Sequence, residues 1–308
     1  GTLTTHRMTL DEIRAKTAKV CVALGLPRGS VEVQDDHDGT ADTSRILITP
    51  HNPLMAVVPF EGPTMRDGAY VYGPGLTGHP VHIRLDDPAT GPVPVVIAGA
   101  QGSGKSGAAK GLLAELHLSP VHVTWLIDPQ QGASHPEFRD AVDWYAPNLH
   151  TARAMLVAVL DVMQARERYM ADLEHTVEVD MGDRVERVSV RGIDVFAPRP
   201  GLPMMTPEFP ELRVVIEEAP AVLAHADCAG MVAAVIKRGR KVGVSLVLIS
   251  QLLAQTEFGD ASIRPLVSSG SRIVLRTSDT MTGRQASGGT FSVNPSTLPQ
   301  TWPNGSST

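Results

Sequence analysis

The feature that most constrains this chain is the stretch GAQGSGKSG at residues 99–107, which directly follows the apolar run VPVVIA. It satisfies G-x-x-x-x-G-K-[ST], the pattern of a phosphate-binding loop. The glycines let the backbone curl so that successive N–H groups face one centre, and the N-terminus of the following helix adds positive potential there. The apolar run before the loop and the helical pattern KSGAAKGLLAELHL after it are the context that the motif requires. The sequence therefore predicts a nucleotide site formed by Gly99, Ala100, Gln101, Gly102, Ser103, Gly104, Lys105, Ser106 and Gly107.

Individual residues of this stretch and of two later strands have predicted chemical roles. Lys105 is expected to reach the β- and γ-phosphates, and the Ser106 hydroxyl is placed to ligate Mg²⁺. In VVIEEAP, Glu217 is predicted to hold the Mg²⁺ shell and Glu218 to activate the attacking water. Aspartate is commoner than glutamate at the first of these positions. Because Glu217 is one methylene longer, we expect it to reach the Mg²⁺ ion through a water molecule or to bind it more weakly.

Two other strand ends offer polar side chains. Gln251 ends the run LVLISQ, where an amide can sense the γ-phosphate or position water, and Asp128 ends WLID as a weaker candidate. The guanine-reading pattern [NT]-K-x-D does not occur in the sequence, which favours ATP over GTP. The predicted cofactors are therefore ATP and Mg²⁺.

Strand-like and helix-like patterns alternate after residue 67, which predicts an α/β domain with a mostly parallel sheet and helices on both faces. The polar residues above follow the strands VPVVIA, VHVTWLID, ELRVVIEEAP and VSLVLISQ, and ligands bind at the carboxyl ends of parallel strands.

Residues 1–66 read as a small α/β unit, with a boundary at EGPTMRDG, so residues 67–308 form the nucleotide-binding domain. Residues 174–211 resist this reading; they contain the hairpin-like stretch RVERVSVRGIDVF and then a Pro-rich run. This segment is either a surface insertion or an element that contacts a partner.

Composition excludes several classes of protein. The chain has 308 residues, a net charge of -6 and only two cysteines, Cys21 and Cys228. We therefore do not expect a nucleic-acid-binding tail, a disulfide framework or a CxxC zinc site. We expect a cytoplasmic setting. No apolar run approaches the roughly 20 residues of a membrane-spanning helix. Because the chain opens with Gly1, a processed product or excised fragment is expected, with any membrane segment in a longer parent.

An ordered set of motifs resembles the FtsK/SpoIIIE family of DNA translocases over roughly Val71 to Thr290. The set comprises VVIAGAQGSGKS, TWLIDPQQG, FRDAVDWYA, RVVIEEAP, IKRGRKVGVSLVLISQ and SRIVLRTSDTMTGRQASGG. Its most specific part is GRxxG followed by a strand and a glutamine, here Gly239, Arg240, Gly243 and Gln251. The upstream YGPGLTGHPVHIRL resembles the β-hairpin that leads into the motor of this family. Within the family, the short motor and EEAP are most similar to TraB-type proteins of conjugative plasmids.

The resemblance implies a RecA-like P-loop motor that assembles as a homohexamer around double-stranded DNA. It also implies that the nucleotide lies between subunits and receives an arginine from the neighbouring subunit. Arg284 matches the family's motif arginine best, and Arg276 and Arg240 are alternatives. The chain departs from the family at Glu217, in lacking the glycine-rich final strand, and in lacking a winged-helix module that reads DNA.

The resemblance leads to one principal function and two alternatives. The principal function is ATP-driven translocation of double-stranded DNA in conjugative plasmid transfer or in chromosome or plasmid segregation, in the cytoplasm or at the cytoplasmic face of the membrane. One alternative is an ATPase of type VII secretion, which acts on protein substrates. The other is a scaffold that binds nucleotide and hydrolyses it weakly.

Overall fold

The computed structural model describes residues 2–4, 12–13, 15–26, 30–35, 43–49, 58–75, 79–182, 184–192, 195–196, 205–251, 263, 270–287 and 295–298. The strands are β1 Thr2–Thr4, β2 Val31–Asp35, β3 Thr43–Ile48, β4 Ala69–Pro74, β5 Pro80–Arg84, β6 Asp86–Asp87, β7 Gly91–Pro92, β8 Val95–Ala98, β9 His122–Ile127, β10 Trp144–Ala146, β11 Glu174–Asp180, β12 Val185–Arg191, β13 Glu211–Ile216, β14 Val244–Ser250 and β15 Ser271–Val274. The α-helices are α1 Thr17–Ala23, α2 Lys105–His117, α3 Leu149–Asp172, α4 Ala219–Leu223, α5 Ala226–Arg238 and α6 Thr280–Ser287. No helix among these residues is long and apolar enough to span a bilayer.

Six strands form one sheet in the order β10-β9-β13-β14-β8-β15, and every adjacent pair is parallel. The predicted parallel sheet is therefore confirmed. Strand β8, which leads into the glycine-rich loop, lies between β14 and β15, and β14 separates it from β13. The carboxyl ends of β8, β13 and β14 consequently lie at the same edge of the sheet. The edge strand β10 is an addition that the sequence patterns did not predict.

Apolar side chains on both faces of the sheet explain why its strands read as continuous apolar runs. Along β8, Val95 and Ile97 pack on one face beneath α2, whereas Val96 and Ala98 face α3 and α5. All four β8 side chains are buried, as are all seven of β14. Burial on both sides is what a parallel sheet covered by helices requires. The domain thus has three layers, with helices on either side of the sheet.

Helix α3 begins with a local signal that fixes its first turn. The Asn148 side chain accepts a hydrogen bond from the Thr151 N–H at 3.0 Å, and the Asn148 N–H is 3.4 Å from the Thr151 hydroxyl. This reciprocal arrangement satisfies two N–H groups that a helix start leaves without partners. Along the helix, Ala152, Met155, Leu156, Val159 and Met163 follow the helical repeat and are buried against the sheet. The helix is therefore held by its cap and by one apolar face.

Charged groups are buried at the opposite edge of the sheet, where β13 begins. The Arg213 side chain is fully buried and donates hydrogen bonds to the carbonyls of Val93 at 2.8 Å and Leu85 at 3.0 Å. It also lies 2.6 Å from a Glu211 carboxylate oxygen and 3.7 Å from Asp86. His122 lies on the other side of Glu211, with 3.2 Å between the ring nitrogen and the carboxylate. Arg213 thus joins the start of the central sheet to residues 85–93 and balances a buried carboxylate.

The N-terminal region contains a separate antiparallel sheet in the order β1-β3-β2, accompanied by α1. The assignment of residues 1–66 to a separate small α/β domain stays a prediction. Near the predicted boundary, the Glu115 carboxylate accepts hydrogen bonds from the N–H groups of Thr64 and Met65 at 2.9 and 3.0 Å. Residues 64–65 are therefore fastened to α2.

Strands β4 and β5 pair antiparallel and form the hairpin expected before the glycine-rich loop. A second hairpin differs from its prediction. The pattern RVERVSVRGIDVF predicts a hairpin within this stretch, but its described residues contain one strand, β12, and that strand pairs with the upstream β11. Exposed ion pairs, Arg191–Glu174 and Arg187–Glu178, join residues that lie directly opposite each other in the two strands. The stretch EHTVEVD, which is rich in charged residues, was not predicted as a strand. The predicted position of the hairpin was therefore wrong by one strand.

Candidate nucleotide-binding site

The backbone between β8 and α2 has the shape that the motif predicts. Gly102 and Gly104 have φ values of 69° and 96°, in the left-handed region that side chains rarely adopt. A Cβ at Gly99 would collide with the Ser103 hydroxyl and approach Leu275 within 2.9 Å. The backbone geometry therefore favours glycine at each of these three positions. Gly104 is also the N-cap residue of α2. The loop ends at a helix N-terminus, where backbone N–H groups attract anions.

Lys105 is the first residue of α2, and its side chain is largely buried. Its ammonium group donates hydrogen bonds to the carbonyls of Gly99 and Ala100, both at 3.0 Å. Burial lowers the pKa of Lys105, whereas the nearby carboxylates of Glu218 and Glu217 oppose that shift. The lysine thus lies against the loop and within the field of both predicted acids. Ser106 follows it in the first turn and is exposed.

Glu217 directly follows β13 and is 5% exposed. One carboxylate oxygen lies 2.7 Å from Nε2 of His135, whose side chain is fully buried. The other oxygen makes no hydrogen bond within the part of the chain that the structure describes. Carboxylates that ligate metal ions are themselves usually hydrogen-bonded, and such a bond fixes the direction of the ligand. Together with the Ser106 hydroxyl, Glu217 supplies the oxygen donors that Mg²⁺ prefers.

His135 is the residue of this site that sequence reasoning missed. It belongs to a loop after β9 that is organised by the Asp128 carboxylate. That carboxylate accepts hydrogen bonds from the N–H groups of Ser134 at 2.8 Å and His135 at 3.2 Å. Asp128, proposed as a weaker catalytic candidate, therefore has its oxygens engaged in holding the loop. Only the tertiary contact with Glu217, 82 residues away along the chain, distinguishes His135 from an ordinary loop histidine.

Glu218 has a φ of 45°, in the left-handed region, which is uncommon for a residue with a side chain. Such conformations cost about 1–3 kcal/mol and cluster at functional sites. The Gln251 amide, at the end of β14, lies 3.3 Å from both carboxylate oxygens of Glu218. Two residues predicted separately from the ends of two strands are therefore brought together at the edge that carries the glycine-rich loop.

The three candidate arginines lie in different places. Arg276 donates a hydrogen bond to the Gln101 carbonyl at 3.3 Å, and its own carbonyl accepts from the Ala100 N–H at 2.7 Å. Arg276 thus contacts the glycine-rich loop within the same chain. Arg284 is exposed on α6, and its guanidinium makes no hydrogen bond or ion pair with the described residues. Arg240 is also exposed, before β14 and so at the sheet edge opposite the loop.

The two glycines of the GRxxG signature have structural roles. A Cβ at Gly239 would collide with the Val244 carbonyl, and one at Gly243 would collide with the Phe196 ring. Gly243 also has a left-handed φ of 62°. Arg166, on α3, donates hydrogen bonds to the Val242 and Gly243 carbonyls at 2.7 and 2.9 Å. The signature is therefore a tight turn that allows α5 to lead into β14.

A three-layer parallel α/β fold, a phosphate-binding loop and paired acids one strand away define the class of P-loop NTPases with a RecA-like fold. Residues 67–255 match the model of the FtsK/SpoIIIE family. Since this match covers more than half of the 308 residues, the chain belongs to the FtsK/SpoIIIE family. Members of this family are ATPases. A comparison with curated protein sequences finds no match.

Solved structures with a similar fold come from two kinds of system. The chain is similar to the pCW3 conjugation coupling protein TcpA, at 14% identity and a TM-score of 0.55, over 92% of this chain and 75% of that one. It is also similar to the cytoplasmic domain of the type VII secretion ATPase EccC of Thermomonospora curvata, at 24% identity and a TM-score of 0.54, over 81% of this chain. A third is EssC of Geobacillus thermodenitrificans, at 12% identity and a TM-score of 0.52, over 76% of this chain. The aligned regions are only 28% of the EccC chain and 43% of the EssC chain, and at these identities the similarity shows the fold.

Proposed function

We propose that this chain is an ATP-hydrolysing motor that moves double-stranded DNA through a homohexameric ring. The observation that carries the proposal is the convergence at one sheet edge of the glycine-rich loop, the Glu217–His135 pair and the Glu218–Gln251 pair. Catalytic groups that converge on a helix N-terminus are what phosphoryl transfer needs, since that reaction depends on positioning and on compensation of charge.

Each of these residues has a role that its position supports. The N–H groups of the loop and the Lys105 ammonium bind the phosphates, and Ser106 and Glu217 would hold a Mg²⁺ ion, which would offset the phosphate charge. His135 keeps the Glu217 carboxylate in one orientation. Glu218 accepts the proton of the attacking water, and the Gln251 amide holds Glu218 in position for that transfer.

The substrate assignment rests on the family and on charge. Double-stranded DNA is the substrate that the FtsK/SpoIIIE resemblance implies, and the similarity to TraB-type proteins favours conjugative transfer. A net charge of -6 opposes broad electrostatic attachment to DNA, so contact must be confined to a minority of residues in the pore. We propose that the chain works in the cytoplasm, and that any membrane segment or DNA-reading module lies outside it.

The test is ATP turnover with and without duplex DNA, measured on oligomers whose assembly is checked in the same samples. We expect stimulation that is similar for unrelated duplexes of equal length, because contacts to the phosphate backbone carry no base information. DNA affinity should fall with salt by a log–log slope of about -0.9 per phosphate neutralised. Assembled rings that hydrolyse ATP but ignore DNA would favour the protein-secretion alternative, and rings that bind ATP without turnover would favour the scaffold.

A further inference from the structure

The segment KRGRK at residues 237–241 carries four positive charges within five residues. Lys237 and Arg238 lie in the last turn of α5, and Arg240 and Lys241 lie in the short turn that leads to β14. All four side chains are exposed, and none makes a hydrogen bond or an ion pair with a described residue. We call these four residues the basic cluster. Because it lies at the sheet edge opposite the glycine-rich loop, binding of the nucleotide in the same chain does not account for it.

Other exposed arginines of the chain are neutralised by carboxylates. The β11–β12 hairpin has three such ion pairs: Arg184–Glu186, Arg187–Glu178 and Arg191–Glu174. The chain has a net charge of -6, so acidic side chains outnumber basic ones, yet the basic cluster has no carboxylate partner among the described residues. A group of uncompensated cations creates a local positive potential, which attracts a polyanion.

The backbone that carries the basic cluster is held in place. Arg166, on α3, donates hydrogen bonds to the Val242 and Gly243 carbonyls at 2.7 and 2.9 Å. The Val242 side chain is fully buried, and a Cβ at Gly239 would collide with the Val244 carbonyl. The turn is therefore preformed, and binding of a ligand has only to order the long side chains.

The end of α5 explains part of the basic cluster without any ligand. Cations are favourable in the last turn of a helix, because the free carbonyls there carry partial negative charge. Lys237 and Arg238 occupy such positions. The effect fades beyond the last turn, so it does not explain Arg240 and Lys241, which follow the helix.

A cleft with a volume of about 390 Å³ lies beside the basic cluster. Lys237 and Arg240 line one side of it, and residues on the segment 90–94 line the other. A Cβ at Gly91 would lie 3.7 Å from the Cγ of Arg240, so the stem of this arginine passes over the glycine. The cleft leaves room for a phosphate group next to both cations.

We propose that the basic cluster contacts the phosphate backbone of double-stranded DNA. This inference rests on the proposed DNA substrate and names residues that bind it, at a sheet edge remote from the nucleotide. Lysine and arginine side chains bind DNA phosphates and release the counterions condensed on them, whatever the base sequence.

An anionic membrane is another surface that attracts lysine and arginine. Stable attachment to a membrane takes an apolar anchor in addition to a polybasic patch. Residues 226–246, all of which the structure describes, expose no large apolar side chain. The surroundings of the basic cluster thus favour a ligand that is bound by charge alone, as the DNA backbone is.

Two triple variants with the same change in net charge separate this role from a general charge effect. The test variant combines Lys237→Gln, Arg238→Gln and Lys241→Gln. Arg240 stays intact in it, because that arginine is also a candidate for the nucleotide site. The matched control combines Arg184→Gln, Arg187→Gln and Arg191→Gln, which removes three cations that are ion-paired.

The experiment measures binding of a fluorescently labelled duplex to the full chain over a series of salt concentrations, without nucleotide. We expect the test variant to bind DNA about tenfold or more weakly than the wild type at about 0.1 M salt. Its log–log slope of affinity against salt should be shallower by about 0.9 per lost contact, so by up to about 2.7 for three contacts. The control variant should keep the affinity and the slope of the wild type. ATP turnover without DNA should be unchanged in the test variant.

Three results would overturn the role of the basic cluster. One is a test variant with the DNA affinity and salt slope of the wild type, including a case in which it loses binding to vesicles of phosphatidylcholine and phosphatidylserine. Another is an equal loss by the control variant, which would show an effect of net charge. The third is loss of DNA binding together with loss of oligomers in native mass spectrometry, which would place the cluster at a contact between subunits.

A wild-type chain that assembles and hydrolyses ATP but binds no duplex at any salt concentration would refute the proposed DNA substrate, and this inference with it. That failure is seen in the wild type, whereas failure of the basic cluster alone is seen only in the comparison of variants. The two failures are therefore distinguishable.

Discussion

Lys105 and Glu218 approach the same point from two elements, the first turn of α2 and the end of β13. Lys105→Ala should abolish ATP hydrolysis, because it removes the cation that is proposed to face the β- and γ-phosphates. Glu218→Gln should bind ATP but hydrolyse it very slowly, since an amide cannot accept the proton of the water. Single-turnover assays together with nucleotide-binding measurements separate these two defects. Normal turnover by either purified variant would remove that residue from the proposed mechanism.

Asp86 gives a residue-scale prediction about pH. Burial and the neighbouring Glu211 carboxylate raise the pKa of Asp86 to about 8, while Arg213 and Arg84 oppose the shift. The folded chain therefore holds the Asp86 proton at pH values where the unfolded chain, with a pKa near 3.8, has released it. The stability that this group contributes is complete below pH 3.8 and is lost as the pH rises through about 8.

Asp86→Asn should remove this dependence, because an amide keeps the shape of the protonated carboxyl group and cannot ionise. We expect the variant to gain stability relative to the wild type as the pH rises from 5 to about 8. Urea unfolding at several pH values measures the difference, which has an upper bound of about 1.4 kcal/mol per pH unit for a single group. Parallel stability profiles for the two proteins would show that Asp86 is ionised in the folded state.

At the scale of elements, α3 shows how a local signal and tertiary packing combine. Asn148→Ala removes the side chain that accepts the Thr151 N–H and should destabilise the domain by about 1 kcal/mol. Asn148→Asp is the matched control, since aspartate caps a helix equally well. Thermal unfolding of the three proteins is the measurement. Equal destabilisation by both substitutions would show that packing of Asn148, and not the cap, is what matters.

The strands differ in how well they can be predicted from patterns in the sequence. Buried runs such as that of β14 can be recognised because parallel strands covered on both faces consist mostly of apolar residues. β10 has only three residues, and its two aromatic side chains are half-buried, so no pattern marks it before it pairs with β9. β11, with the sequence EHTVEVD, is rich in polar residues, and its pairing with β12 is set by the backbone register of the two strands.

At the scale of the whole molecule, the proposed ring predicts complementation between subunits. If Arg284 reaches a neighbour's γ-phosphate, Arg284→Ala should lose hydrolysis and keep ATP affinity. Mixing it with Lys105→Ala subunits should restore part of the activity, because some sites then combine an intact loop with an intact arginine. ATP turnover is the readout, and native mass spectrometry verifies that the oligomers are mixed.

Mixed oligomers that stay inactive would count against Arg284 as the residue acting between subunits. The exposure of Arg284 on α6 favours it for this role over Arg276, which is engaged with Gln101 of its own subunit. Arg276→Ala provides a comparison. If Arg276 braces the loop within one subunit, its loss should weaken nucleotide binding, which Lys105→Ala subunits cannot restore.

The sequence by itself determined the class of fold, the phosphate-binding loop and the acids that follow β13. These features are local, because a glycine-rich turn and an apolar strand owe their form to backbone sterics and burial within a few residues. Tertiary structure alone decided that His135 contacts Glu217 and that Gln251 contacts Glu218. Such contacts join residues far apart in the chain, and their distances depend on strand order and helix packing, which no single stretch of sequence encodes.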